Sequence, residues 1–308
     1  MLKKQFLHAS WLIILLILAL ISNIKVDAKV PENTITATDL IQIKQKLVDL
    51  INEGRQSLQL KPVAIDELAS QVGERHCQEM LAENYFSHWN IAGLKPYMRY
   101  SSAGGTDALM ENLSQGGGYY NNLERLTNVL VEMHLRMFNE KPPNDGHRQA
   151  IIHPQNTHVG IGIAFDEGQV KLAEEFISRY VEIKEISSQV KAGNQIDIAG
   201  KILNPKEYEL AGISVFHEPT PQSLTREELN SRGSYSLPET ETILKPMVYG
   251  NVFYTDGSKG EIDYKKTSGK FSCQVVFAKD RKGIYTIVVW LKTEKEKFLA
   301  TNISINVM

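Results

Sequence analysis

The chain has 308 residues, 42% of them apolar, and 34 Lys and Arg against 36 Asp and Glu leave a net charge of −2. That is enough apolar material for a buried core and for two domains, which excludes a disordered chain; a near-neutral balance with no basic stripe excludes a nucleic-acid partner. Only Cys77 and Cys273 occur, too few for a disulfide-stapled scaffold, and they are expected to be separate buried thiols.

Lys3 and Lys4 precede an apolar run from Trp11 to Ile21, and Val26-Asp27-Ala28 supplies the small residues that a signal peptidase reads. Residues 1–28 are therefore expected to be a signal peptide, and the mature protein to be secreted or held in the cell envelope. The run is shorter than the roughly 20 apolar residues that span a bilayer, so membrane contact is expected only if this segment stays uncleaved.

From Asp39, read as an N-cap, residues Leu40, Ile41, Ile43, Leu47, Leu50 and Ile51 follow helical spacing toward Gly54. A second helix is predicted over 65–85 with Leu68, Val72 and Met80 inward, and it delivers Phe86-Ser87-His88. Between His88 and Leu123 the composition turns to Gly, Ser, Asn and Tyr and reads as a long loop holding Glu111. Leu123, Leu126, Leu130, Met133 and Met137 mark a third helix, with Glu140 just beyond it. Gly146-His147-Arg148 then heads a short helical turn stopped by Pro154. Val159, Ile161, Ile163 and Phe165 alternate as a strand, Asp166-Glu167-Gly168 turns, and Val170, Leu172 and Phe176 return. Gly160 and Gly162 leave the other face of that strand bare, open to a helix or a ligand.

The helices and hairpin predict a mixed α/β domain over 29–184. From 185 to 308 helical periodicity is absent, and short alternating runs at 195–203, 209–217, 248–254, 270–278, 284–292 and 299–307 predict an all-β sandwich of immunoglobulin-like type. Such a domain serves more often as a spacer or binding module than as a catalyst.

His88, Glu111 and His147 come from three separate segments and admit two chemistries. Two imidazoles and a carboxylate are ligands for a zinc-type ion; the same groups can act as acid and base near neutral pH. His158 begins the strand and reads either as a residue near the cleft or as a strand-end His making one backbone bond, and His76 and His134 as helix residues beside apolar positions. Glu174 and Glu175 read either as rim residues of a cleft or as ordinary exposed strand residues.

Ile51-Asn52-Glu53-Gly54-Arg55, Phe86-Ser87-His88, Glu111-Asn112-Leu113, Gly146-His147-Arg148 with Ile151-Ile152, and Val159-Gly160-Ile161-Gly162 stand in the order found in the CAP superfamily. Over roughly residues 40–180 the chain resembles these SCP-like proteins, which include cysteine-rich secretory proteins, venom antigens and plant pathogenesis-related proteins. The resemblance implies an α-β-α sandwich with a surface cleft where two His and one or two Glu meet. Matched by motif, these are His88, His147 and Glu111, with Glu140 a looser match within Met137-Phe138-Asn139-Glu140. A lone Cys77 and Arg148 after the cleft His fit a bacterial-type member. It implies two functions: an exported protein binding a divalent metal or an extracellular ligand, such as a lipid, a sterol or an envelope component, or a hydrolase acting on peptide or cell-wall material. No Ser or Cys stands in a recognisable nucleophile elbow.

Overall fold

The computed structural model describes residues 35–308 apart from 119 and 121; the signal peptide read in residues 1–28 lies outside them. Helix α1 (Ala37–Ser57) begins in a capping box, Thr36 Oγ1 accepting from the Asp39 N–H and the Asp39 carboxylate from the Thr36 N–H. Asp39 is thus inside the helix, and Thr36 is its cap. The helix buries Ile43, Leu47, Val48, Ile51 and Arg55, the stripe its periodicity requires.

A two-residue strand β1 (Ala64–Ile65) precedes helix α2 (Glu67–Ala82), which Asp66 caps. The region expected to be loop holds two elements, helix α3 (Pro96–Ser102) and strand β2 (Ala108–Gly117). Glu111 therefore sits on a strand. Both faces of β2 are covered at this point, and Glu111 and Asn112 are both buried, so the polar-apolar alternation that betrays a strand is missing from the sequence. Helix α4 (Leu123–Phe138), helix α5 (Gly146–Ile151), strand β3 (His158–Phe165) and strand β4 (Gln169–Ser178) fall where they are predicted.

The first sheet has the order β1-β3-β4-β2, with β2 at one edge. Successive residues of β4 show which helix covers which face: Glu174 meets His134 of α4, and Glu175 packs against Gly73 of α2. Gly160 and Gly162 explain the close approach of α2. A Cβ at Gly162 would lie 2.2 Å from the Gly73 carbonyl carbon, and one at Gly160 2.3 Å from the Ser70 nitrogen, so only glycine lets the helix backbone lie on this strand.

The second half is built from two sheets that share one core. Strands β5 (Val181–Ile183), β7 (Gln195–Ile202), β11 (Lys270–Val276) and β10 (Asp263–Lys265) make one; β6 (Gln189–Val190), β14 (Ile303–Val307), β12 (Gly283–Lys292), β8 (Glu209–Glu218) and β9 (Thr240–Leu244) make the other, with β13 (Lys297–Leu299) on β12. Ile198, Ile202, Phe271 and Val275 from the first meet Ile213, Val215, Ile287, Val289 and Ile305 from the second. The β region starts before residue 185, since β5 already pairs with β7. Residues 248–254 form no strand: Tyr249, Val252 and Phe253 are exposed, so their alternation faces no core. A short helix α6 (Arg226–Ser231) lies between β8 and β9. Cys77 and Cys273 are both buried and free.

The two halves are joined by polar as well as apolar contacts. The Asn302 carboxamide accepts from the Leu109 N–H at 3.1 Å and donates to the Leu109 carbonyl at 3.0 Å. The Ser304 N–H donates to Ser101 Oγ, and Ile284 clusters with Tyr97 and Met98 of α3.

Candidate functional site

Edge strand β2 forms the floor of a cleft of about 680 Å³ lined by His88, Glu111, Glu140 and His147. Each of these sequence-predicted residues is delivered differently. His88 rides on the turn after α2, held because His76 Nε2 donates to the Ser87 carbonyl at 2.8 Å. Burial pushes the His76 imidazole down to about 3, so this ring is a neutral brace. Arg99 of α3 donates to the His88 carbonyl at 2.6 Å and fixes the same turn from the other side.

Glu111 projects from β2 with both oxygens engaged. Oε1 takes His88 Nδ1 at 2.8 Å and Oε2 takes an Arg99 guanidinium N–H at 2.5 Å. Burial alone would raise this carboxyl, but the Arg99 charge and the hydrogen-bonded His88 hold it at about 2. It is therefore a permanent carboxylate, and the His88 proton sits on Nδ1.

His147 opens α5, and Glu140, in the turn after α4, receives it twice. His147 Nδ1 meets Glu140 Oε1 at 2.5 Å, and the His147 backbone N–H donates to Oε2 at 3.0 Å. A carboxylate at the first turn of a helix also meets its unpaired N–H groups favourably. Asn112 Nδ2 donates to the His147 carbonyl at 3.0 Å and ties α5 to β2. Arg55, buried in α1, donates to the carbonyls of Lys61, Ile151, His153 and Asn156 and anchors the chain leaving α5. The cleft thus contains two imidazoles, each turned by a carboxylate on Nδ1 so that Nε2 is left for a ligand. His88 has 18% of its side chain exposed and His147 38%.

Among the described residues no group of three or more His, Cys, Asp or Glu side chains is gathered closely enough to hold a metal ion. His88, Glu111 and His147 share the cleft but do not form one ligand set: both Nδ1 atoms and both Glu111 oxygens already have partners. A carboxylate on Nδ1 is also what orients a metal-ligating histidine, so the two Nε2 atoms are the groups left to meet an ion or another ligand.

The remaining candidates have structural roles. His134 Nδ1 meets Glu174 Oε1 at 2.7 Å inside the domain, and His158 Nδ1 meets Thr157 Oγ1. Glu174 and Glu175 are completely buried, not rim residues and not exposed ones. Glu175 pairs across the ladder with Glu111, its two oxygens have no hydrogen-bond partner among the described residues, and burial followed by the Glu111 charge pushes its carboxyl far up.

Sequence reasoning missed Arg99, Tyr235 and Arg232. The latter two come from the segment between β8 and β9 and line the cleft with Gly233 and Ser234. Thr225-Arg226-Glu227-Glu228 is a capping box inside a β region and could have marked a helical excursion, but nothing local tells where it docks. Neither the Ser87 nor the Ser234 hydroxyl hydrogen-bonds to a histidine among the described residues, and burial raises the Cys77 thiol, so no Ser or Cys described there is activated as a nucleophile.

The family model CAP, described as the Cysteine-rich secretory protein family, matches residues 48–180. Uncharacterized protein YkwD of Bacillus subtilis (strain 168) is 29% identical over 126 residues, covering 39% of this chain and 41% of that protein. The chain therefore spans about two fifths of the length of this curated relative. Among solved structures, an extracellular protein containing a SCP domain from Bacillus anthracis str. Ames is 23% identical with a TM-score of 0.35, covering 45% of this chain and 41% of that one. An outer surface protein from Borrelia burgdorferi is 20% identical with a TM-score of 0.35, over 45% of this chain and 93% of that one.

Proposed function

Because residues 48–180 are a CAP domain of the bacterial type, we propose that this is an exported binding protein whose cleft holds an extracellular or envelope ligand through the Nε2 atoms of His88 and His147. One observation carries the reading: Glu111 and Glu140 each fix an imidazole by Nδ1 in the same cleft. The carboxylates set tautomer and orientation in advance, which reduces the ordering cost of binding. Export rests on the signal segment read in residues 1–28, and no helix among the described residues is long and apolar enough to cross a membrane. We take the two-sheet half as an immunoglobulin-like module that carries the cleft domain and completes its surroundings.

The test is calorimetry on the dialysed protein with three probes in turn: zinc chloride, soluble peptidoglycan fragments and vesicles containing a fatty acid. One probe is expected to give a saturable heat that disappears in the His88→Ala/His147→Ala double variant. Equal heats for variant and parent with every probe, or no saturable heat at all, would reject the reading.

A second reading, a hydrolase acting on peptide or cell-wall material, draws on the His147–Glu140 pair. Glu111 is a poor base because its carboxyl is held at about 2 between Arg99 and His88, so activation of water would fall to His147. Turnover of a peptide or peptidoglycan library that is lost in His147→Ala would favour this reading.

A further inference from the structure

The segment 219–239 leaves the second sheet after β8, crosses the first domain, and returns to β9. It is fastened along its whole length. The Leu224 N–H donates to the Ile91 carbonyl at 2.8 Å, and Arg226 Nε donates to the Glu83 carbonyl at 3.1 Å. Leu229 of α6 is buried among Cys77, Met80, Tyr85 and Leu113 of the first domain. Asn230 Oδ1 accepts the Phe86 N–H at 2.8 Å, and Lys95 Nζ donates to the Ser236 carbonyl at 2.9 Å. Gly93, with φ of +74°, lets the chain pass: a Cβ there would lie 2.5 Å from the Gln222 carbonyl oxygen.

The fastening brings Tyr235 to the inner end of the cleft. Its Oη accepts the Glu111 backbone N–H at 2.9 Å. Its ring stands edge-on to His88 with centroids 5.0 Å apart, and Trp89 and Tyr97 surround it at 6.4 and 6.2 Å. The N–H it takes belongs to the outer edge of β2, where the Asn302 carboxamide already satisfies Leu109 two residues earlier. Backbone groups of an edge strand point outward at alternate residues, so the second half closes this edge at successive outward positions. One more neighbour follows at the rim, Arg232, whose guanidinium lies 5.0 Å over the Trp89 ring.

We propose that the cleft is a two-domain site: the segment 219–239 is its inner wall, and Tyr235 is a positioning residue that holds the Glu111–His88 pair from above by one hydrogen bond and one ring contact. The wall makes the two histidines unequal. His88 lies under the tyrosine at the closed end, and His147 stands at the open end, where a ligand enters. The inference builds on the reading of the cleft as a ligand site, but it is tested without a ligand, so the two fail separately.

The experiment compares the full chain with Tyr235→Ala and Tyr235→Phe. Diethyl pyrocarbonate modification of each histidine is followed by peptide mass spectrometry across pH, and amide exchange at Glu111 by NMR. The proposal expects Tyr235→Ala to raise the His88 modification rate severalfold while half-buried His217, which lies outside the cleft, keeps its own. Tyr235→Phe is expected to restore the slow His88 rate, because the ring returns, yet to speed Glu111 amide exchange by about tenfold, because the acceptor does not. This split between the two variants is what a merely space-filling tyrosine would not give. An unchanged His88 rate in Tyr235→Ala, or unchanged Glu111 exchange in Tyr235→Phe, would overturn the proposal; the phenylalanine variant retains the buried ring and so keeps the test valid if the alanine variant unfolds.

Discussion

At the scale of single residues, the site depends on charged groups whose partners are fixed by the fold. Arg55 is fully buried and donates to four carbonyls drawn from two separate segments. Replacing it by Met leaves those acceptors without donors, and a loss of at least about 3 kcal/mol is expected in urea unfolding. Arg55→Lys should rescue little, because an ammonium cannot span the same fork. Glu175 gives a pH signature. Its carboxyl is raised by burial first and by Glu111 second, above a reference of 4.5. The folded state then holds this proton at pH values where the unfolded chain has released it. The stabilisation is complete below about pH 4.5 and declines as pH rises through the folded-state value. Glu175→Gln, which keeps the shape and cannot ionise, should therefore flatten the fall of the urea midpoint between pH 4.5 and 8. A variant that tracks the parent across this range would show that Glu175 is ionised in the fold.

At the scale of elements, the contact between α2 and β3 depends on missing side chains. A Cβ at Gly162 would sit 2.2 Å from backbone of α2, and backbone cannot rotate aside as a side-chain end can. Gly162→Ala is expected to cost about 2–3 kcal/mol and to loosen α2. Since α2 delivers the turn carrying His88, the same change should speed hydrogen exchange from Met80 to His88 more than in α4. Equal effects on both helices would mean that the strain spreads through the sheet. The bare face of β3 was readable from Gly160 and Gly162 in a run of alternating apolar residues, because that pattern has few other uses. Strand β2 was not readable, because an edge strand buried on both faces and carrying Glu111 and Asn112 at its centre shows no alternation.

At the scale of the whole molecule, the two halves share an interface made by Asn302 on Leu109, Ser304 on Ser101, and Tyr97 and Met98 on Ile284. Residues 35–308 should accordingly unfold in one calorimetric transition. Asn302→Leu, which removes both bonds to Leu109 and leaves a buried N–H and carbonyl unpaired, is expected to separate it into two. Two transitions already present in the parent would show that the interface does not couple the halves. The sequence by itself determined helices α1, α2, α4 and α5, the hairpin, the β-rich second half and the identity of His88, Glu111, Glu140 and His147 as candidates, since periodicity, caps and short motifs are local properties of a chain. Only the tertiary structure decided that these four line one cleft, that Glu174 and Glu175 are buried, and that Tyr235 reaches Glu111 across 124 positions of chain. Such contacts depend on how distant surfaces pack, and a residue's neighbours in sequence carry no record of which surface it will meet.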